Sequence, residues 1–142
     1  MRRGVFFIEN NAEKFFLHMN TLLDIPKYEW YVDDVELNYI HFPSGKYSGL
    51  EFQSMLSELT SLSFARIRRY PIGTSIKDID SYEEYVASNC DLMILFYDGG
   101  EYEIFAKENE LLQKIFDFCM DHGFEDVAYI GNADNERSYM HF

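Results

Sequence analysis

The run Leu92-Met93-Ile94-Leu95-Phe96-Tyr97 offers no polar face, and Asp98-Gly99-Gly100-Glu101 follows it directly. A strand that is apolar on both faces belongs in the middle of a sheet, covered on both sides. Two adjacent glycines supply the positive φ that a two-residue hairpin demands. The chain is therefore expected to build around a central strand at 92–97 that returns through Tyr102–Ala106.

The remaining elements follow from periodicity and caps. Residues 3–8 are β-branched and aromatic and read as a first strand. Phe15, Phe16, Met19, Leu22 and Leu23 then recur at helical spacing until Pro26 closes the segment. Residues 29–32 and 35–41 form two extended runs, with Asp33-Asp34 as the turn between them. Ser48-Gly49-Leu50-Glu51 has the spacing of a capping box, and Leu50, Phe52, Met55, Leu56 and Leu59 supply the apolar face of the helix it opens. Leu62–Tyr70 returns as a strand, and Pro71–Ile79 is expected to be a mobile loop. Asp80-Ser81-Tyr82-Glu83 offers another cap, followed by a short helix bearing Tyr82, Tyr85 and Val86. Asn109 caps a longer helix that ends at His122-Gly123, where the glycine suits a left-handed C′ position. Val127–Ile130 and Arg137–Phe142 complete the strands. Hairpins alternate with crossover helices, which predicts a single α+β domain over residues 1–142. Its expected form is a mixed sheet with about four helices packed mainly on one face.

At 142 residues, 47% of them hydrophobic, the chain can close a core without a disulfide or metal staple. Its net charge of −13 is unevenly placed. Residues 1–77 balance nine acids with nine bases, whereas residues 78–142 hold sixteen acids and three bases. Such a field repels phosphate backbones and attracts basic proteins, so nucleic acid is excluded as a general partner. The apolar run at Val5–Ile8 is too short for a secretory core, and nothing reaches the length of a membrane span. Cys90 and Cys119 show no paired spacing and read as reduced thiols. A cytoplasmic location without membrane association is the expectation.

No phosphate-binding glycine loop, zinc-protease helix, nucleophile elbow or calcium loop occurs, and no metal or cofactor is expected. His18, His41, His122 and His141 stand apart, with His122 placed to favour the negative end of a helix. Cys90 has Asp91 beside it, which disfavours a thiolate. Arg66, Arg68 and Arg69 form the main basic island. In a strand, Phe64, Arg66, Arg68 and Tyr70 share one face, while Ala65, Ile67 and Arg69 point the other way. Pairing of these arginines with carboxylates within the chain is the simpler reading. An anion or ligand pocket built from His41, Arg66, Arg68 and Tyr70 is the sharper one.

The stretches Arg3-Gly4-Val5-Phe6-Phe7-Ile8, Tyr28-Glu29-Trp30-Tyr31, Glu103-Ile104-Phe105-Ala106-Lys107, Gly123-Phe124-Glu125-Asp126 and Asp134-Asn135-Glu136-Arg137 resemble an uncharacterised family of bacillar proteins, domain-of-unknown-function family 2691. The resemblance implies a bacterial cytosol and one domain. It brings no activity, cofactor or site residues.

Tyrosine in excess of core needs, next to acidic charge, points to a protein-binding face. The leading expectation is a non-catalytic binding module, inhibitor-like or immunity-like, for a basic protein. Its patch would draw on Tyr82, Glu83, Glu84, Tyr85, Asp98, Glu101, Tyr102 and Glu103. The rivals are a small enzyme or ligand binder using the arginine pocket, and a homo-oligomer with tyrosines at its interface.

Overall fold

A computed structural model describes residues 2–37, 44–56, 62–97 and 100–131. Its strands are β1 (Arg2–Ile8), β2 (Glu29–Leu37), β3 (Gly45–Tyr47), β4 (Leu62–Tyr70), β5 (Leu92–Tyr97), β6 (Glu101–Ala106) and β7 (Glu125–Gly131). Its helices are α1 (Ala12–Leu22), α2 (Gly49–Ser54), α3 (Tyr82–Ala87) and α4 (Asn109–Asp121), with a 3₁₀ turn at Ile25–Lys27. The strands form one seven-stranded sheet in the order β3-β2-β4-β5-β6-β1-β7, so the all-apolar β5 is central as expected. The protein is a single-sheet α+β fold.

Every strand pairing among the described residues is antiparallel, where a mixed sheet was expected. The reason lies in how the crossovers are filled. A helix that crosses over returns the chain in the same direction, which makes parallel neighbours only if the two strands end up adjacent. Here α4 joins β6 to β7, and β1 is slotted between them. Likewise α2 lies between β3 and β4 in the chain, and β2 separates those strands in the sheet.

Residue alternation divides the sheet into two chemically different faces. One carries Val5, Phe7, Trp30, Val32, Ala65, Ile67, Leu92, Ile94, Phe96, Tyr102 and Ile104, all buried. They join a core completed by Phe15, Phe16 and Met19 of α1, Phe52 of α2, and Leu112, Ile115 and Cys119 of α4. The opposite face is smaller. There Met93, Leu95 and Phe105 pack with Tyr85 of α3 and Ile79 of the segment 71–81. Three helices on one face and one on the other agrees with the expected arrangement.

Local signals account for the helix ends. Ser48 Oγ accepts from Glu51 N at 3.1 Å, and Ser48 N donates to Glu51 Oε1 at 3.0 Å, which completes the capping box. Gly123, at φ 71°, lets Phe124 N reach Cys119 O (3.0 Å) and Gly123 N reach Met120 O (3.2 Å), closing α4 in a Schellman motif. Gly49 has a different role. A Cβ there would lie 2.5 Å from the backbone of Ile25 and Pro26, so only glycine lets α2 dock on the 3₁₀ turn.

Several expectations are corrected. Asp33-Asp34 is no turn: β2 runs through it with an irregularity in register between Asp33 and Glu36. Leu50 is 70% exposed, because α2 is only six residues long and turns Phe52 to the core instead. Asn109 is the first helical residue of α4 after Glu108 at the N-cap, with no side-chain cap bond. The expected strand at Arg137–Phe142 lies outside the described residues.

Candidate functional site

The alternation read in 64–70 is the one observed. Arg66, Arg68 and Tyr70 project onto the smaller face, and Arg69 projects toward the helices. In register, Arg66 faces Asp33 and Arg68 faces Tyr31 across β2. Arg66 grips Asp33 with two parallel bonds, Nε to Oδ1 at 2.9 Å and Nη2 to Oδ2 at 2.6 Å. Its Nη1 donates to Ile79 O at 2.7 Å. Arg68 is fully buried and donates from Nη1 to Tyr70 Oη (2.9 Å) and Lys77 O (2.8 Å). Its Nη2 lies 3.4 Å from Asp33 Oδ2, and its guanidinium sits 4.6 Å from the Tyr31 ring centre. One carboxylate thus serves two buried cations.

The arrangement binds the chain to itself. Guanidinium donors of β4 hold the carbonyls of Lys77 and Ile79, and the Ile79 side chain is fully buried beneath them. The segment 71–81, of which Pro71–Ile79 was expected to be a mobile loop, is pinned at these points. On the helical face Arg69 makes the matching tie. It meets Asp91 through Nε–Oδ1 (2.8 Å) and Nη2–Oδ2 (3.1 Å), donates to Leu23 O (3.0 Å) and lies over Tyr28 at 3.9 Å.

Burial pushes the Tyr70 phenol up to about 12, and it likewise pushes both the Cys90 and Cys119 thiols up to about 12. Groups held that far above neutrality stay protonated and are poor nucleophiles at neutral pH. Of the candidate pocket, Arg66, Arg68 and Tyr70 do come together, with the donors named above turned inward on Asp33, Tyr70 and backbone carbonyls. His41 lies outside the described residues.

The acidic patch is only partly at the surface. Glu83 and Glu84 are exposed, and Tyr82 and Glu101 are half-buried. Tyr85, Tyr102 and Glu103 are buried and contribute no surface. Tyr85 faces the sheet from α3 and donates to Asp91 O at 3.2 Å. Glu103 sits in the same cross-strand row as Arg66 and Leu95, near the centre of the sheet. Asp98 lies outside the described residues.

Tyr102 is a core residue, stacked on Phe7 at 4.9 Å and set edge-on to Phe96 at 4.6 Å. Its buried hydroxyl has no hydrogen-bond partner among the described residues, and burial raises its pKa. Tyr102→Phe is therefore expected to leave stability unchanged or raise it by about 1 kcal/mol, because an unmet desolvation penalty is removed. A thermal melt measures this directly, and a clear loss of stability would contradict it.

Two features had no local signal in the sequence. A groove of about 470 Å³ runs beside β3, lined by Pro26, Tyr28, Glu29, Lys46, Gly49 and Ile72, among others. Lys46 Nζ meets Glu29 Oε2 at 2.7 Å inside it, and Gly73 N donates to Glu29 Oε1 at 2.8 Å. These two bonds hold the Glu29 carboxyl below its usual range. Separately, His18 and His122 meet across α1 and α4. Among the described residues, no group of three or more His, Cys, Asp or Glu is gathered as for a metal ion. No helix among them is long and apolar enough to cross a membrane.

A family model described as "Protein of unknown function (DUF2691)" matches residues 2–141. The chain belongs to DUF2691. This agrees with the resemblance seen in the sequence. The DUF2691 chain is also 25% identical over 153 residues to the uncharacterized protein YncE of Bacillus subtilis (strain 168), with 99% of each chain covered. No solved structure matches it.

Proposed function

We propose that this DUF2691 protein is a non-catalytic binding module whose acidic surface receives a basic protein. One observation carries the reading: the main basic island is internal. Arg66, Arg68 and Arg69 are at most 8% exposed and face Asp33 and Asp91, which are partly buried beside them. The pairing removes positive charge from the surface of a chain that is already at −13. Asp78, Asp80, Glu83 and Glu84 meanwhile stand exposed within seven residues, on the pinned segment and α3. Glu84 accepts the Asp80 amide at 3.2 Å, which draws two of them together. Tyr82 lies beside them, half-buried under the Arg3 guanidinium at 3.9 Å. An acidic rim around a rigid aromatic side chain suits a lysine- or arginine-rich partner.

The experiment is capture of a partner by the tagged chain at low and high salt, repeated with a D78N/D80N/E83Q/E84Q variant. A stoichiometric basic protein is expected, released by salt and held at least about tenfold more weakly by the variant. Equal retention by the variant, or binding indifferent to salt, would overturn the reading.

A further inference from the structure

The groove beside β3 shares no lining residue with the acidic rim and is not used by the proposed function. Its volume of about 470 Å³ falls in the range of ligand clefts. Leu50 of α2 and Ile72 of the segment 71–81 flank it, large aliphatic side chains left 70% and 69% exposed. Pro26 and Tyr28 continue the apolar wall. The charged part is compact. Two carboxylates, Glu29 and Glu51, and one ammonium, Lys46, line the groove, so its net charge is negative. Glu51 is committed to the capping box with Ser48, which leaves Glu29 to face a ligand.

Glu29 is set for that role. Its side chain is only 12% exposed, and the Gly73 amide donates to Oε1 at 2.8 Å. Oε2 is buried, with Lys46 Nζ 2.7 Å away as an ion contact and no aligned hydrogen bond among the described residues. A carboxylate oxygen in that state has acceptor capacity to spare. Lys46 is a displaceable partner. Its side chain is 58% exposed, and its flexible stem gives up rotamer freedom to stay in place. A cation supplied from outside can return it to solvent at little cost.

We propose that the groove receives an arginine side chain of a protein partner, its guanidinium on Glu29 in place of Lys46 and its aliphatic stem over Leu50 and Ile72. Guanidinium is less strongly hydrated than ammonium and offers a planar fork, so it gains more from a buried carboxylate than Lys46 does. Its methylene stem uses the apolar walls, which an inorganic cation would leave bare. Negative charge in the groove, on a chain at −13, excludes an anionic side chain from the same place. The assignment is independent of whether the acidic rim binds a protein.

The test titrates the full chain with N-acetyl-arginine methylamide, a blocked arginine residue, and follows backbone amide shifts and heat. Binding is expected with Kd on the order of 1 mM and the largest shifts at Lys46, Gly49 and Gly73. The citrulline analogue, neutral and nearly isosteric, should bind at least about tenfold more weakly. Free arginine should also bind more weakly, because its carboxylate meets an anionic surface. Tighter binding of free arginine would point to a metabolite and overturn the protein source. Glu29→Gln should weaken the blocked arginine at least about tenfold. Lys46→Met, which keeps the stem and removes the competing ammonium, should strengthen it by about threefold or more. Both variants should keep the wild-type spectrum away from the groove, which separates a changed site from a changed fold. No binding at about 10 mM, equal affinity for the citrulline analogue, weaker binding by Lys46→Met, or largest shifts at Glu83 and Glu84 would overturn the proposal.

Discussion

Asp33→Ala is expected to cost the fold about 3–5 kcal/mol, because it leaves two buried guanidiniums facing an empty space. Arg66 and Arg68 are 8% and 0% exposed, so water cannot readily replace the lost carboxylate. The large cost comes from stranding charge, which is distinct from the net worth of the ion pair. Two further measurements separate these quantities. Asp33→Asn keeps an acceptor in place and should lose less than Asp33→Ala. Arg66→Met combined with Asp33→Ala should lose less than the two single changes added together, since each removes the partner the other needs. Urea unfolding followed by circular dichroism gives all four values. A loss below about 1 kcal/mol for Asp33→Ala would mean that solvent reaches the cations after all. Hydrogen exchange adds a spatial readout. Once Asp33 no longer fixes the two arginines, the segment 71–81 should open more often, since the Lys77 and Ile79 carbonyls rest on the same guanidiniums.

The role of Asp33 shows where the sequence was readable and where it was not. Alternation within 64–70 placed Arg66, Arg68 and Tyr70 on one face, because the period of a strand is a local property. Which carboxylate would meet them was not local. Asp33 lies 33 residues from Arg66 and was read as a turn, since adjacent aspartates favour turns when nothing else is known. The sheet type failed for a related reason. Helical crossovers were visible, but the slotting of β1 between β6 and β7 is a long-range pairing with no sequence signature. Caps did better. The Ser48–Glu51 box and the Gly123 terminus are short-range chemistry, and both formed. Candidate surface residues fared worst. Glu103 and Tyr102 neighbour each other in a strand and face opposite sides of the sheet, yet both are buried, because this sheet is covered on both faces. Charge alone marked Glu103 as external, and only the covering of the second face by 71–81 and α3 makes it internal. The His18–His122 contact joins positions 104 residues apart and depends on α1 and α4 sharing one side of the sheet.

The other large effect is expected at Trp30, where three elements meet. Its ring is fully buried and stacks on Phe52 of α2 at 4.7 Å and 18°. Its Nε1 donates to Ile25 O of the 3₁₀ turn at 2.9 Å. One side chain of β2 therefore fixes both α2 and the turn, which approach so closely that Gly49 admits no Cβ between them. Trp30→Ala should cost about 3–5 kcal/mol, combining lost transfer energy with a cavity that this tight junction closes poorly. Trp30→Phe keeps most of the stacking and loses the hydrogen bond, leaving Ile25 O without that donor, so about 1–3 kcal/mol is expected. Circular dichroism must report both, since Trp30 is the only tryptophan and its fluorescence disappears with it. The damage should also be uneven. Amide exchange in α2 and at Ile25–Lys27 should accelerate before that of the central β5, because β5 draws its packing from both faces of the sheet. If β5 exchanged as readily as α2 in Trp30→Ala, the junction would be part of the global unfolding unit and not a separately supported corner.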